Sequence, residues 1–159
     1  LIQAVAASPF KNDIRLTVAG TGPQQDSLVR LAAALGVDAE IGRVSDERLK
    51  MLYQTADVFV QTSAVELEGM SVLEAMAAGC PVLINQSITS AVTEFVTAPE
   101  ATYSMNDEED LRRKLDAMLA DPVLRAAAGR GNRKIAQSRH HDRSVNSLAD
   151  IYQRVLSAH

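Results

Sequence analysis

Three glutamates surround the predicted start of a helix in the middle of the chain. They are Glu66, Glu68 and Glu74. The first backbone N–H groups of that helix, near Gly69, Met70 and Ser71, have no partner within the helix and can receive a phosphate. The carboxylates of Glu66 and Glu74 can accept hydrogen bonds from sugar or ribose hydroxyls. The alternative is that these glutamates are solvated surface residues, and the spacing alone leaves both interpretations open.

A second candidate is the turn Gly20-Thr21-Gly22-Pro23. It follows a predicted strand and precedes a predicted helix, the setting in which a backbone can approach a nucleotide closely. The turn is not a dinucleotide fingerprint, because Gln25 stands where a third glycine would be required. An ordinary tight turn is the alternative interpretation of Gly20 and Gly22.

Several other kinds of site are excluded or disfavoured. The chain has no Gly-Lys-Ser/Thr sequence, which excludes a P-loop ATPase. No two aspartates stand two positions apart, so the compact Asp-x-Asp metal signature is missing. Cys80 is the single cysteine and histidines occur only at positions 140, 141 and 159, so we expect no zinc site.

Short apolar strands alternate with helices along the chain, a pattern typical of βαβ units. We predict helices at residues 1–8, 24–35, from 45 or 46 through 53, and at 70–78, 91–96, 107–120, 122–137 and 143–156, and strands at 14–19, 39–41, 57–61, 81–84 and 101–104. The predicted fold class is α/β: a doubly wound, Rossmann-like parallel sheet with a helical C-terminal tail. Ligands bind beyond the carboxyl ends of such strands, which nominates the loops 20–23, 42–45, 62–69 and 85–90.

Length and charge limit the function further. The chain has 159 residues, 47% of them hydrophobic, which suits one domain with a buried core. Its 16 Lys+Arg against 20 Asp+Glu give a net charge of -4, so we expect no nucleic-acid partner. No apolar run approaches the ~20 residues that a membrane span needs.

A basic stretch lies near the C-terminal end and includes the pair His140-His141. Its cationic residues are Arg125, Arg130, Arg133, Lys134, Arg139 and Arg143. A solvated basic face is the default interpretation, and peripheral contact with an anionic membrane surface is the alternative.

The order of these motifs resembles the C-terminal, donor-binding domain of retaining GT-B glycosyltransferases of family 4. The run from Leu52 to Val60 is similar to the family's Tyr-x-x-Ala-Asp-Val strand entry, and the turn at Gly20 is similar to its glycine turn. Glu66 and Glu74, with seven residues between them, match its double-glutamate motif, which Leu73 to Val82 continues. The resemblance covers nearly the whole chain and implies half of a GT-B fold.

The resemblance implies a role for each matched residue. Glu66 would act at the catalytic centre by binding hydroxyls of the transferred sugar, and Glu74 would bind the ribose. The remaining donor-binding positions would be the amides at Gly69, Met70 and Ser71, the cleft glycines Gly20 and Gly22, and the backbone at Arg43 and Val44 beside the base. Family members retain the anomeric configuration and need no cofactor or bound metal, so the nucleotide sugar is the donor substrate.

The chain departs from the family pattern at two loops. After the Pro81-Val82 strand, the family's paired glycines are replaced by the run from Asn85 to Ala91. This form of the loop is similar to that of a bacterial branch that makes capsule polysaccharides or glycolipids. Glu68 stands where many relatives have an aromatic residue and adds negative charge beside the phosphate site.

The resemblance also implies missing parts. Residues 1–159 would form the nucleotide-sugar-binding domain without its first strand, its diphosphate-binding Arg and Lys, and the N-terminal acceptor domain. We therefore expect Leu1-Ile2 to be a boundary within a longer protein and the chain alone to be inactive. The last helix presents an apolar face that would either fold back on the core or remain partly exposed; it comprises Val145, Leu148, Ile151, Tyr152 and Val155.

The leading hypothesis is a hexosyltransferase with a nucleotide-sugar donor and a glycan or lipid acceptor, in the cytoplasm or at the inner face of the membrane. The alternative from another class is a non-catalytic interaction or regulatory module that keeps this fold. A nucleotide-binding domain of the signalling type is disfavoured, because no acidic cluster follows the first strand.

Overall fold

The computed structural model describes residues 1–96, 98–139 and 141–157, except for the side chains of 141–144. The elements are α1 (Ile2–Ala7), β1 (Leu16–Ala19), α2 (Gln25–Leu35), β2 (Ala39–Gly42), α3 (Asp46–Thr55), β3 (Phe59–Gln61), α4 (Met70–Ala78), β4 (Val82–Gln86), β5 (Thr102–Ser104), α5 (Glu108–Ala120), α6 (Pro122–Ser138) and α7 (His141–Ser157). Short 3-10 helices cover Lys11–Asp13, Ala91–Glu94 and Pro99–Ala101. The predicted alternation is confirmed, and the helix predicted at 91–96 is a 3-10 turn.

Local sequence signals explain where several helices begin. Ser45 caps α3 by accepting a hydrogen bond from the Arg48 amide, and Asp107 caps α5 by accepting from the Asp110 amide. Asp121 accepts from the amides of residues 123 and 124 at the start of α6. These side chains satisfy amides that have no partner within the helix.

The strands form two parallel sheets, one with the order β1-β2 and one with the order β3-β4-β5. The doubly wound α/β class is confirmed, with the difference that the strands do not join into one sheet. We predicted residues 57–61 as a buried strand, but β3 is shorter and half-buried. It is an edge strand of its sheet, paired only with β4 among the described strands, whereas β4 is central and buried from Val82 through Asn85.

The helices contact one another across both sheets, with α5 packed against α6, and one core joins the sheets. Helix α1 packs against α2 and α5, while α4 packs against α3 and α6. The largest fully buried side chains are Met76, Leu83, Ile84, Met118, Val5, Val72, Val82 and Val92. They belong to a single cluster that also includes Ile2 of α1 and Ala32 of α2. Most of this core therefore lies around β4 and α4.

Helices α4 and α6 approach unusually closely. A Cβ atom on Gly129 would lie 2.3 Å from the carbonyl oxygen of Gly79, so only glycine fits at this crossing. Two side chains of α6 fasten the contact, since Asn132 donates to the Cys80 carbonyl and Arg133 donates to the Ala78 carbonyl, each over 2.8 Å. The end of α4 is thus fixed by α6.

Candidate functional site

The loop between β3 and α4 carries the first predicted site residue, Glu66. Its carboxylate is half-buried and accepts a hydrogen bond from Gln61 Nε2, at a distance of 2.9 Å from Nε2 to Oε2. Its main chain pairs with the loop after β4, where Glu66 and Ser90 form an isolated parallel bridge. The loops that follow two adjacent strands, β3 and β4, therefore fix the position of Glu66 jointly.

The start of α4 has a different design from the starts of α3, α5 and α6. Its N-cap is Gly69, which has no side chain to accept from the helix amides. As in α6, its first turn carries no acidic residue. Gly69 has φ +67°, and a Cβ there would lie 2.4 Å from Val92 Cγ2. Met70 is exposed and Ser71 is half-buried. The amides of this turn are consequently placed to meet an anion.

Glu74 lies one turn into α4 and is exposed. Tyr53 of α3 donates a hydrogen bond to Glu74 Oε2 over 3.1 Å. Burial, followed by the Glu74 charge, raises the pKa of Tyr53 to about 12, so its hydroxyl stays a donor at neutral pH. The ring of Tyr53 packs on Phe59 of β3, with 5.8 Å between ring centroids. The carboxylate of Glu74 is thereby oriented at the surface.

The glycine turn and the loop after β2 lie at the end of the other sheet. The Gly20 amide donates to the Gly42 carbonyl over 2.8 Å, which ties the two strand ends together. A Cβ on Gly20 or Gly22 would meet no atom within 4 Å, so the backbone there is open to solvent. Arg43 is exposed and Val44 is half-buried.

The predicted site residues therefore fall into two groups. Glu66, Gly69, Met70, Ser71 and Glu74 form one unit of loop and helix. The other group, Gly20, Gly22, Arg43 and Val44, follows β1 and β2. Within the described part of the chain, no hydrogen bond or ion pair joins the two groups.

Sequence reasoning assigned no role to Gln61 or to the hydrogen bond of Tyr53. A signal existed for Gln61, because it is a polar residue at the end of an apolar strand, directly before the nominated loop. Tyr53 belongs to the Tyr-x-x-Ala-Asp-Val motif, but its hydrogen-bond partner Glu74 is 21 residues further along the sequence. Such a pairing depends on the packing of α3 against α4, which spacing does not reveal.

Three cations of the predicted basic stretch have structural partners. Arg125 donates to the carbonyls of Met118 and Leu119, each over 2.7 Å, and Arg133 caps α4 as described above. Arg139 lies over the ring of Phe95, 4.6 Å from its centroid. His140 lies outside the described residues. None of the described helices combines the length and apolar composition that a membrane span requires.

A family model for glycosyl transferases group 1 matches residues 1–135. The chain belongs to this family. It is 30% identical to the D-inositol 3-phosphate glycosyltransferase of Salinispora tropica over 175 aligned residues, which cover 100% of this chain and 36% of that protein. The chain spans 23% to 42% of the length of curated relatives of this kind.

Two solved structures have the same fold. The catalytic domain of cholesterol-alpha-glucosyltransferase from Helicobacter pylori superposes with a TM-score of 0.83 at 32% identity, covering 87% of each chain. Anabaena HepE, solved in complex with UDP-glucose, superposes with a TM-score of 0.80 over 100% of this chain and 44% of that one, at 20% identity. The second similarity concerns the fold alone. A glycosyltransferase chain similar in extent to this one has thus been solved as a catalytic domain.

Proposed function

We propose that this chain is the C-terminal, nucleotide-sugar-binding domain of a retaining glycosyltransferase of family 4. The whole enzyme would transfer a hexose to a glycan or lipid acceptor in bacterial polysaccharide or glycolipid synthesis. One observation carries the proposal: the start of α4 has no side-chain cap and lies between two glutamates, each oriented by a hydrogen-bond donor.

The chemistry of that unit suits a sugar linked to a diphosphate. Amides at the start of a helix stabilise negative charge, and they would do so most where the diphosphate departs. Ionised carboxylates only accept hydrogen bonds, so they suit hydroxyl groups as partners. In this proposal Glu66 binds the sugar and Glu74 binds the ribose. In this proposal no bound metal is required, because the helix amides and the Arg and Lys expected outside residues 1–159 would supply the electrostatic stabilisation.

The other sheet would hold the nucleotide. Gly20 and Gly22 leave room for close approach of a ligand to the backbone, and the chain at Arg43 and Val44 would contact the base. HepE of Anabaena was solved with UDP-glucose, which supports a nucleoside diphosphate hexose as the donor class. The Helicobacter relative acts on cholesterol, which supports an apolar acceptor.

We also propose that one further parallel strand lies between β1 and β3. Each of these strands has a partner on one side only among the described strands. Helix α1 packs against both α2 and α5, so it is positioned between the helices of the two sheets. A strand between β1 and β3 would give the continuous order 3-2-1-4-5-6 of doubly wound folds. Segments outside residues 1–159 would supply this strand and the acceptor domain.

Helix α7 supports a second domain as well. Between residues 145 and 156 its apolar face is at least about half exposed: Val145 49%, Leu148 52%, Ile151 50%, Tyr152 63%, Val155 54% and Leu156 77%. A surface of this kind commonly marks a contact with another protein surface. We assign it to the acceptor domain of the same enzyme, which would act in the cytoplasm or at the inner face of the membrane.

The gene gives a direct test of this domain arrangement. We expect an upstream segment that encodes a strand, a loop with Arg and Lys, and a second Rossmann-like domain. A stop codon or an unrelated domain immediately upstream would overturn the arrangement and favour a non-catalytic module.

Donor binding is tested by calorimetric titration of UDP-, GDP- and ADP-sugars into the full-length protein. We expect one of them to bind saturably and Glu66→Ala or Glu74→Ala to weaken it roughly tenfold or more, since each change removes a hydrogen bond to a charged group. The 159-residue chain alone should show no transfer.

The matched control is Glu100→Ala, which removes an exposed carboxylate from another part of the surface. This variant should bind the nucleotide sugar with the same affinity as the unchanged protein. If no nucleotide sugar binds, or if all three alanine variants behave alike, the proposed function is wrong.

A further inference from the structure

Among the described residues, Gln61 is the one whose side chain forms a hydrogen bond with the carboxylate of Glu66. Gln61 Nε2 lies 2.9 Å from Glu66 Oε2, and Gln61 is the last residue of β3. A hydrogen bond from an N–H group to a carboxylate is stronger than one between neutral groups. This contact therefore favours one orientation of the ionised Glu66 side chain.

Gln61 itself is fixed by the sheet. It is paired in register with Ile84 of β4, and its carbonyl accepts a hydrogen bond from the Tyr103 hydroxyl over 3.2 Å. Tyr103 lies on β5 and is 5% exposed. Gln61, which donates the hydrogen bond to Glu66, is thus held by contacts with both other strands of its sheet.

The main chain leading to Glu66 is fixed independently by the segment 85–91. Asn85 Nδ2 donates to the carbonyls of Thr62, over 3.1 Å, and Ser63, over 2.7 Å. The hydroxyls of Ser87 and Thr89 donate to the Ala64 carbonyl, and the Ala91 amide donates to the Glu66 carbonyl over 2.9 Å. The backbone of the loop is therefore fixed by hydrogen bonds within the protein.

An ordered glutamate matters for a reaction at a sugar. Its side chain has several rotatable bonds, and fixing them only when substrate arrives would oppose binding. A small misplacement of a group that contacts the reacting sugar also slows turnover strongly. With the backbone already fixed, the orientation of the carboxylate depends on Gln61.

We propose that Gln61 is a positioning residue for Glu66, holding its carboxylate in the orientation that receives the sugar hydroxyls. The inference rests on the proposed function, in which Glu66 contacts the transferred sugar. Gln61 acts through Glu66 and does not itself touch the donor.

The test is Gln61→Met in the full-length protein, which keeps the side-chain length and removes the donor. Turnover is followed as release of nucleoside diphosphate from UDP-glucose, GDP-mannose or ADP-glucose, whichever is a substrate. We expect kcat/KM to fall roughly tenfold to a hundredfold. Affinity for the nucleoside diphosphate without sugar should stay unchanged, and Tm should stay within about 2 °C.

Two further variants separate positioning from a structural effect. Gln61→Glu places a second carboxylate beside Glu66 and should lower kcat/KM more than Gln61→Met. Combined with Glu66→Ala, Gln61→Met should cause no additional loss, because the group it orients is gone. Additive losses would overturn the positioning role. Gln3→Met, the same change at an exposed position on α1, is the matched control.

A spectroscopic measurement distinguishes failure of this inference from failure of the proposed function. The side-chain amide resonances of Gln61, assigned by their loss in Gln61→Met, should shift in Glu66→Ala and remain in place in Glu100→Ala. No shift in Glu66→Ala overturns the inference, whether or not a donor binds. A shift without any effect of Gln61→Met on turnover also overturns it and leaves the function intact. A shift in a protein that binds no nucleotide sugar overturns the proposed function, and the positioning role with it.

Discussion

The loops at the strand ends of the two sheets differ in how tightly they are packed. At the ends of β1 and β2 the glycine turn is open, with no atom within 4 Å of a Cβ on Gly20 or Gly22. At the ends of β3 and β4 the loops are bound to each other, and Gly69 is packed against Val92. The central strand β4 is buried along most of its length, whereas β1 and β2, like the edge strand β3, contain no fully buried residue.

In the proposed function, this difference would correspond to two roles within one donor site. The packed loops fix their backbone by contacts within the protein, so they suit the groups that must be precisely oriented. The open turn leaves space beside its backbone, which suits a ligand that is bound through contacts with the main chain. The predictions below test whether the packed region is rigid and the open region tolerant.

The largest difference should come from truncating a leucine in each region. Leu83 of β4 is fully buried, and Leu31 of α2 is half-buried beside the first sheet. We expect Leu83→Ala to lower the free energy of unfolding by about 3–5 kcal/mol, since it leaves a cavity that the surroundings cannot fill. Leu31→Ala should cost about half as much or less. Urea denaturation of both variants measures the difference, and equal costs would contradict the contrast between the sheets.

The next effect concerns one glycine from each region. Gly69→Ala places a Cβ 2.4 Å from Val92 Cγ2 on a backbone with φ +67°, so steric overlap and backbone strain add to roughly 2–4 kcal/mol. Gly22→Ala is the matched control, because a Cβ there meets no atom within 4 Å and Gly22 is not among the glycines with positive φ. It should change stability by less than about 0.5 kcal/mol. Thermal melting of the two variants tests this, and similar Tm values would refute the difference in packing.

A smaller effect compares helix starts. Asp107→Ala removes the carboxylate that accepts from the Asp110 amide at the start of α5, and should cost about 1 kcal/mol. Added pyrophosphate should raise the Tm of the unchanged protein and of the variant by the same amount, because it binds at the uncapped start of α4 in both, so the difference between them should persist. Melting curves with and without pyrophosphate test both statements. Absence of any Tm increase in the unchanged protein would count against an anion site there.

The smallest effect tests the charge beside α4. Glu68 is exposed and directly precedes Gly69, so its carboxylate opposes an incoming diphosphate. We expect Glu68→Gln to raise nucleotide affinity about twofold to fivefold at low salt, with less effect at high salt. Glu100→Gln should leave affinity unchanged at both salt concentrations. An equal effect of the two variants would show that only net charge matters.

The ends of several helices could be predicted, because the residues that begin or end a helix lie within it or directly beside it in the sequence. Gly36 and Gly79 end α2 and α4 in the left-handed conformation, and Ser45 and Asp107 begin α3 and α5, all within a few residues of the signal. The placement of the double-glutamate loop before α4 also followed from the order of motifs. The roles of Glu66 and Glu74 toward a donor stay predictions.

Contacts across the fold were beyond the reach of sequence patterns. The hydrogen bonds from Asn85 to Thr62 and Ser63 join positions more than twenty residues apart. The division into two sheets depends on which strands become neighbours, and apolar periodicity does not encode neighbours. The run from Asn85 to Ala91 was noticed as a departure from the family pattern, and the structure shows that it carries the partners of the Glu66 loop.

The close crossing of α4 and α6 has a consequence for cooperativity. Gly79 and Gly129 are fifty positions apart in the sequence and lie in direct contact. If either helix moved away or rotated, this packing would be lost. Amides of α6 should therefore exchange with deuterium only when the whole domain unfolds, together with those of β4. Amides of α7, whose apolar face is exposed, should exchange far earlier through local opening. The boundary of the cooperative unit in this chain thus falls between two consecutive helices.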